Sequence, residues 1–116
     1  LWMNIHFNHP KEVAPAVEGL REALASTSIQ DPRVPVVANC SGTPIYTAEQ
    51  VKEELVRQLY RCVQWRRSVV YMLNAGVRRF YEIGPGRVLS VLVKRISQEA
   101  QALSVNDLAA LRSLAA

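Results

Sequence analysis

Residues 77–96 read VRRFYEIGPGRVLSVLVKRI, a strand, a tight turn and a helix in immediate succession. Residues 77–83, which include Val77, Phe80, Tyr81 and Ile83, predict a strand, and Gly84-Pro85-Gly86 predicts the turn that ends it. Apolar residues then recur at helical spacing between Val88 and Ile96. Strand, glycine turn and helix in this order are typical of a parallel α/β layer, so the predicted fold class is α/β.

The neighbouring segments extend this pattern along the chain. Residues 34–40 form a continuous apolar run that predicts a buried strand of a parallel sheet, and residues 103–105 predict a third short strand. Helical periodicity predicts helices over residues 15–25 and 48–60, and again after Trp65 and after Asp107. The sequence therefore predicts a small parallel sheet of three strands flanked by helices.

Local signals place the ends of these helices. Pro15 fits the first turn of its helix, and Thr47 with Gln50 forms a capping box. Gly76 is a good left-handed C-cap, and Asp107 is a good N-cap.

Composition is that of an ordinary globular chain. The 116 residues are 49% apolar and 21% charged, enough for one domain at most. No apolar run approaches the ~20 residues that span a bilayer, and no signal peptide is recognisable, so a soluble cytoplasmic protein is expected. Cys40 and Cys62 are too few for a disulfide framework and lack zinc-ligand spacing, so both are expected to be buried and reduced.

Charge is concentrated in the middle of the chain. Residues 57–98 carry nine basic and one acidic side chain, a net charge of +8, whereas residues 1–56 sum to −3 and residues 99–116 to −1. Such a segment attracts nucleic acid, coenzyme A phosphates or an acidic protein, or it is simply a solvated arginine-rich surface. A small basic nucleic-acid-binding module stays as an alternative, although no helix-turn-helix, RNP or zinc pattern supports it.

Two long segments carry a family resemblance. They are RQLYRCVQW at residues 57–65 and YEIGPGRVL at residues 81–89, accompanied by DPRVPVVAN at 31–39 and ALSVND at 102–107. In this order they resemble the C-terminal part of malonyl-CoA:acyl carrier protein transacylases. Cys62 stands where that family usually has proline, and Val91 where it often has glycine.

The resemblance implies a fold and an activity. Residues 1–116 are expected to be the C-terminal part of an acyltransferase domain, a partial α/β-hydrolase-like lobe. The nucleophile elbow of the family, Gly-His-Ser-x-Gly, does not occur in the sequence, and the ferredoxin-like lobe is expected to be absent too. The implied function is malonyl transfer in fatty acid biosynthesis through a serine acyl-enzyme; the alternative is an acyltransferase domain of a polyketide or multifunctional fatty acid synthase. This part alone is expected to be inactive.

The same resemblance identifies candidate site residues. The register of the Pro15-Ala16 pair places His9 as the general base and acid, thirty residues before Asn39 and forty-nine before Gln58. It implies that the backbone carbonyl of Gln58 orients the histidine and that Asn39 supports this arrangement. His6 is the competing histidine.

Partners also follow from the resemblance. Malonyl-CoA is the implied substrate, and acyl carrier protein, which carries phosphopantetheine, is the implied partner; no metal, redox cofactor, nucleic acid or membrane is expected. A carboxylate-oriented histidine would instead need an acidic residue, and Glu82 is the one that lies within residues 57–98. Gly84-Pro85-Gly86 opens a helix and could bind phosphate, but it lacks a recognised phosphate-loop pattern and is expected to be a structural turn.

Overall fold

The computed structural model describes residues 10–115, which divide into two compact units between Ser68 and Val69. The helices and strands, in chain order, are α1 Pro10–Ser26, β1 Val36–Val37, β2 Pro44–Ile45, α2 Ala48–Arg57, α3 Trp65–Asn74, β3 Arg79–Ile83, α4 Val88–Ile96, β4 Gln101–Val105 and α5 Leu108–Ala115. The first unit contains α1, β1, β2, α2 and the start of α3. The second contains the rest of α3, then β3, α4, β4 and α5.

Helix α1 is longer than predicted. It begins at Pro10, so Pro15 lies inside the helix, and its placement in the first turn was wrong. The backbone bond that Pro15 cannot make would end on the carbonyl of Lys11, close to the start of the helix. Helix α1 packs against α2, and the guanidinium of Arg21 lies 3.3 Å from the Glu53 carboxylate on the facing surface.

The predicted parallel strand over residues 34–40 was wrong. Only Val36–Val37 is extended, and it pairs antiparallel with Pro44–Ile45 in a short hairpin. Val34 is 69% exposed, so the apolar run is not a buried central strand. Gly42 closes the hairpin with a φ of 67°, and a Cβ there would lie 2.7 Å from Cγ of Arg67, so no other residue fits without movement.

Helix α2 begins as predicted. The Gln50 amide donates to Oγ1 of Thr47 over 3.2 Å, and Oε1 of Gln50 accepts from the Thr47 amide over 3.2 Å, which completes the capping box. Oδ1 of Asp31 accepts from the amide of Ala48 over 2.7 Å and satisfies another free donor. These polar contacts fix where α2 starts.

The second unit has the predicted strand, turn, helix and strand. Helix α3 stops before Gly76, whose φ is 95°. Strands β3 and β4 are parallel, in a register that pairs Arg79 with Gln101 and Ile83 with Val105, and α4 packs on both. Oδ1 of Asp107 accepts from the Ala110 amide over 2.7 Å, which caps α5 as predicted. The α/β class is confirmed, but within residues 10–115 the parallel sheet has two strands rather than three.

The two cysteines are less buried than expected, because Cys40 is half-buried and Cys62 is exposed. Both are free thiols. No helix in the described part of the chain is long and apolar enough to cross a membrane.

Candidate active site

Gln58, whose carbonyl the resemblance implies as the acceptor, lies at the C-terminal end of α2. Gln58 is the C-cap residue of α2, with φ −60° and ψ −20°, and its amide donates to the Glu54 carbonyl over 3.0 Å. The next amides donate to the carbonyls of Val56 and Arg57. No hydrogen bond between residues 10–115 ends on the carbonyl oxygen of Gln58. None of these residues therefore occupies this oxygen, which lies at the negative end of a helix and can accept a hydrogen bond.

Asn39 lies beside Gln58, as the family resemblance implied. The Asn39 side-chain amide donates to Oε1 of Gln58 over 3.4 Å, and the Asn39 carbonyl accepts from the Gln64 amide over 2.6 Å. Asn39 is thus tied both to the end of α2 and to the segment that leads into α3. The structure brings these two candidates together across nineteen residues of sequence. Their roles in catalysis stay predictions, and His9 and His6 lie outside the described residues.

Sequence reasoning missed a third residue of this site, Glu54. Its side chain is buried, and Oε1 accepts from the amide of Cys40 over 2.8 Å. Burial raises the pKa of the Cys40 thiol to about 11, and the charge and hydrogen bond of Glu54 act in the same direction. A signal was present, since Glu54 precedes Gln58 by four residues and so shares its helix face.

At the turn of Gly84-Pro85-Gly86, the Glu82 carboxylate binds the helix amides that a phosphate would otherwise bind. Both glycines have positive φ, 133° and 95°, as the turn requires. The carboxylate of Glu82 accepts from the amides of Leu89 and Ser90 over 3.0 and 2.8 Å, at the N-terminus of α4. Oγ of Ser90 donates to the same carboxylate over 2.7 Å. Glu82 therefore caps α4, which favours the structural reading of this turn over a phosphate site.

The arginines of the basic segment have different surroundings. Arg78 donates to the carbonyl of Leu73 over 2.8 Å and so satisfies the end of α3, while Arg79 donates to Gln101 over 2.9 Å. Arg61 lies with its guanidinium 5.8 Å from the ring centre of Tyr60. Arg66 is exposed on the first turn of α3. Arg78 and Arg79 are therefore partly structural, and Arg66 is the better probe of surface charge.

Comparison with known proteins finds relatives named malonyl CoA-acyl carrier protein transacylase. No protein-family model matches the chain. The chain is 40% identical over 100 residues to a malonyl CoA-acyl carrier protein transacylase of Escherichia coli, covering 86% of this chain and 32% of the relative. It is 38% identical over 99 residues to a protein of the same name from Bacillus subtilis, covering 85% and 31%.

A solved structure agrees with this. It contains a malonyl-transacylase in complex with its type II polyketide synthase acyl-carrier protein, and it superimposes with a TM-score of 0.80 at 40% identity, covering 87% of this chain and 33% of that chain. The chain thus spans about a third of the length of the relatives it matches, at their C-terminal part. It is a homologue of the C-terminal third of the malonyl CoA-acyl carrier protein transacylases.

Proposed function

We propose that this chain supplies the histidine side of a malonyl transfer site, in which malonyl passes from coenzyme A to acyl carrier protein. The observation that carries the proposal is the Gln58 carbonyl at the end of α2, which accepts no hydrogen bond from residues 10–115 and has Asn39 held beside it. A neutral imidazole needs an acceptor for its Nδ1 proton so that Nε2 can act as the base. A backbone carbonyl fills that role without a carboxylate.

In the proposed first half-reaction, His9 takes the proton of a serine hydroxyl while the serine oxygen attacks the malonyl thioester. The thioester bond breaks, and the histidine returns the proton to the coenzyme A thiolate. In the second half, His9 takes the proton of the phosphopantetheine thiol, the thiolate attacks the malonyl-serine ester, and the serine oxygen leaves and is reprotonated. Atoms and electrons balance without a metal or a redox cofactor.

The same chemistry serves two biosynthetic settings, and the carrier protein that accepts malonyl distinguishes them. Fatty acid biosynthesis is the leading proposal. A polyketide setting is the second, because the malonyl-transacylase of the solved structure is in complex with a type II polyketide synthase acyl-carrier protein. Parallel assays with a fatty acid and a polyketide carrier protein separate the two by their kcat/KM.

The proposed partner is acidic, because residues 57–98 carry a net charge of +8. Exposed arginines attract an acidic carrier protein at long range, and this attraction weakens with salt. Arg61 and Arg66 are exposed in the first unit, close in sequence to the C-terminal end of α2. Malonyl-CoA, which is also anionic, is the proposed donor.

A hybrid enzyme tests the proposal. Residues 9–116 replace the corresponding C-terminal third of the Escherichia coli relative, whose remaining part carries the serine that the family resemblance implies. We expect the hybrid to form a malonyl ester and to transfer malonyl to carrier protein, and the hybrid with His9→Ala to lose both. A folded hybrid that does neither would overturn the proposed function.

A further inference from the structure

Glu54 is a buried charge next to the candidate site. It is 8% exposed, and only Glu54 and Ser68 are buried polar residues in the described part of the chain. A buried carboxylate is costly unless hydrogen bonds compensate it, so its partner matters. That partner is the amide of Cys40, 2.8 Å from Oε1, fourteen residues away in sequence.

Glu54 and Gln58 lie one helical turn apart on the same face of α2, Gln58 at its C-cap. They are four residues apart, and both reach the segment of Asn39 and Cys40: Glu54 contacts the Cys40 amide, and Gln58 contacts the Asn39 side chain. The Gln64 amide adds a third contact at the Asn39 carbonyl, over 2.6 Å. Residues 39–40 are therefore held at three points.

These contacts differ in strength. The Asn39 to Gln58 bond joins two neutral amides at 3.4 Å, which is long for a hydrogen bond, and both side chains are partly or fully exposed. The bond from Cys40 to Glu54 is short, partly buried and charge-assisted, which makes it about twice as strong as a neutral one. Glu54 thus makes the stronger of the two side-chain contacts that join residues 39–40 to α2 and its C-cap.

We propose that Glu54 is a positioning residue. It holds residues 39–40 against the end of α2 and thereby keeps the Gln58 carbonyl in a fixed orientation. The structural part of this inference concerns the chain itself, whereas its kinetic part rests on the proposed function. Glu54 touches neither substrate nor histidine in this scheme. It acts through Asn39 and Gln58.

Hydrogen exchange of the 116-residue chain tests the structural part. We expect Glu54→Ala to reduce protection of the Cys40 and Gln64 amides about tenfold or more, with little change in β3 and β4. Glu54→Gln keeps an acceptor and should restore most of this protection. Glu53→Ala is the matched control, since it removes the neighbouring carboxylate, which bonds on the surface to Arg21 and Arg57. An unprotected Cys40 amide in the unsubstituted chain, or a uniform loss in Glu54→Ala, would overturn the inference.

Kinetics of the active hybrid test the second part. Displacing an orienting group lowers the rate of the chemical step more than binding, so Glu54→Ala should lower kcat about tenfold to a hundredfold and leave KM for malonyl-CoA within about twofold. Glu54→Gln should recover most of kcat, and Glu53→Ala should resemble the unsubstituted hybrid. An active hybrid that is indifferent to Glu54→Ala overturns this inference alone. An inactive unsubstituted hybrid overturns the proposed function instead.

Discussion

At the residue scale, the surroundings of Cys40 raise the pKa of its thiol. Burial, followed by the charge and hydrogen bond of Glu54, raises its pKa from 9.0 to about 11. The thiolate is the reactive form, so Cys40 should react slowly with iodoacetamide at pH 8, and exposed Cys62 should be labelled first. Glu54→Gln removes one cause and should accelerate labelling of Cys40. Peptide mass spectrometry over time measures both rates; equal labelling of the two cysteines would contradict the assignment.

Three substitutions in the hybrid enzyme distinguish a carbonyl-oriented histidine from a carboxylate-oriented one. His9→Ala removes the base and should lower kcat about 10²–10⁴-fold. Gln58→Ala keeps the backbone carbonyl but removes the contact with Asn39, so it should lower kcat no more than Glu54→Ala does and far less than His9→Ala. Glu82→Gln should also leave kcat near that of the unsubstituted hybrid, because both oxygens of Glu82 already bind the start of α4. Steady-state kinetics measure all three. A large loss of kcat in Glu82→Gln would favour a histidine that is oriented by a carboxylate.

At the scale of secondary structure elements, Glu82 joins a strand to the helix that follows it. The hydrogen bonds that the Glu82 carboxylate accepts lower its pKa below 4.5, and the bond from the Ser90 hydroxyl contributes most. A folded pKa below the unfolded one gives stability that is present above about pH 4.5 and is lost as pH falls through the folded pKa. Glu82→Gln should therefore lower Tm at pH 7 and reduce the loss of Tm on acidification. Thermal unfolding between pH 3 and pH 7 checks this, with exposed Glu99→Gln as the control.

Helix boundaries were predictable from the sequence because their causes are local. Thr47 and Gln50 are three residues apart, and each satisfies the other's amide, so the capping box needs no distant partner. Gly76 and Asp107 act in the same local way. The strand at residues 34–40 depends instead on which segment it pairs with, and Gly42 makes the nearest segment, Pro44–Ile45, the partner.

The candidate site was only half predictable for the same reason. The family resemblance supplied Asn39 and Gln58, and the structure places them in contact. The bond from Cys40 to Glu54 belongs to no motif, and it depends on how the hairpin lies along α2. A buried carboxylate on an amphipathic helix is hard to recognise, because most glutamates on helices are exposed.

At the scale of the whole molecule, the net charge of +8 in residues 57–98 should govern encounter with carrier protein. Arg66→Glu in the hybrid should raise KM for carrier protein several-fold at low salt and leave KM for malonyl-CoA nearly unchanged. The effect should shrink as ionic strength rises. Arg78→Glu is not an equivalent test, because Arg78 also binds the Leu73 carbonyl at the end of α3. Unchanged KM for carrier protein, or tight DNA binding at physiological salt, would contradict the proposed partner.

The 116-residue chain by itself should form no acyl-enzyme with malonyl-CoA, because it contains no Gly-x-Ser-x-Gly elbow. Ser90 is the serine whose hydroxyl donates to a carboxylate, that of Glu82, over 2.7 Å. That carboxylate is a poor base, since its hydrogen bonds lower its pKa, and its oxygens are engaged by the amides of α4. Intact-mass analysis after incubation should therefore show the unmodified chain. A stoichiometric gain of one malonyl group on Ser90 would mean that the Glu82 cap activates a nucleophile, and the histidine-based scheme would then be wrong for this chain.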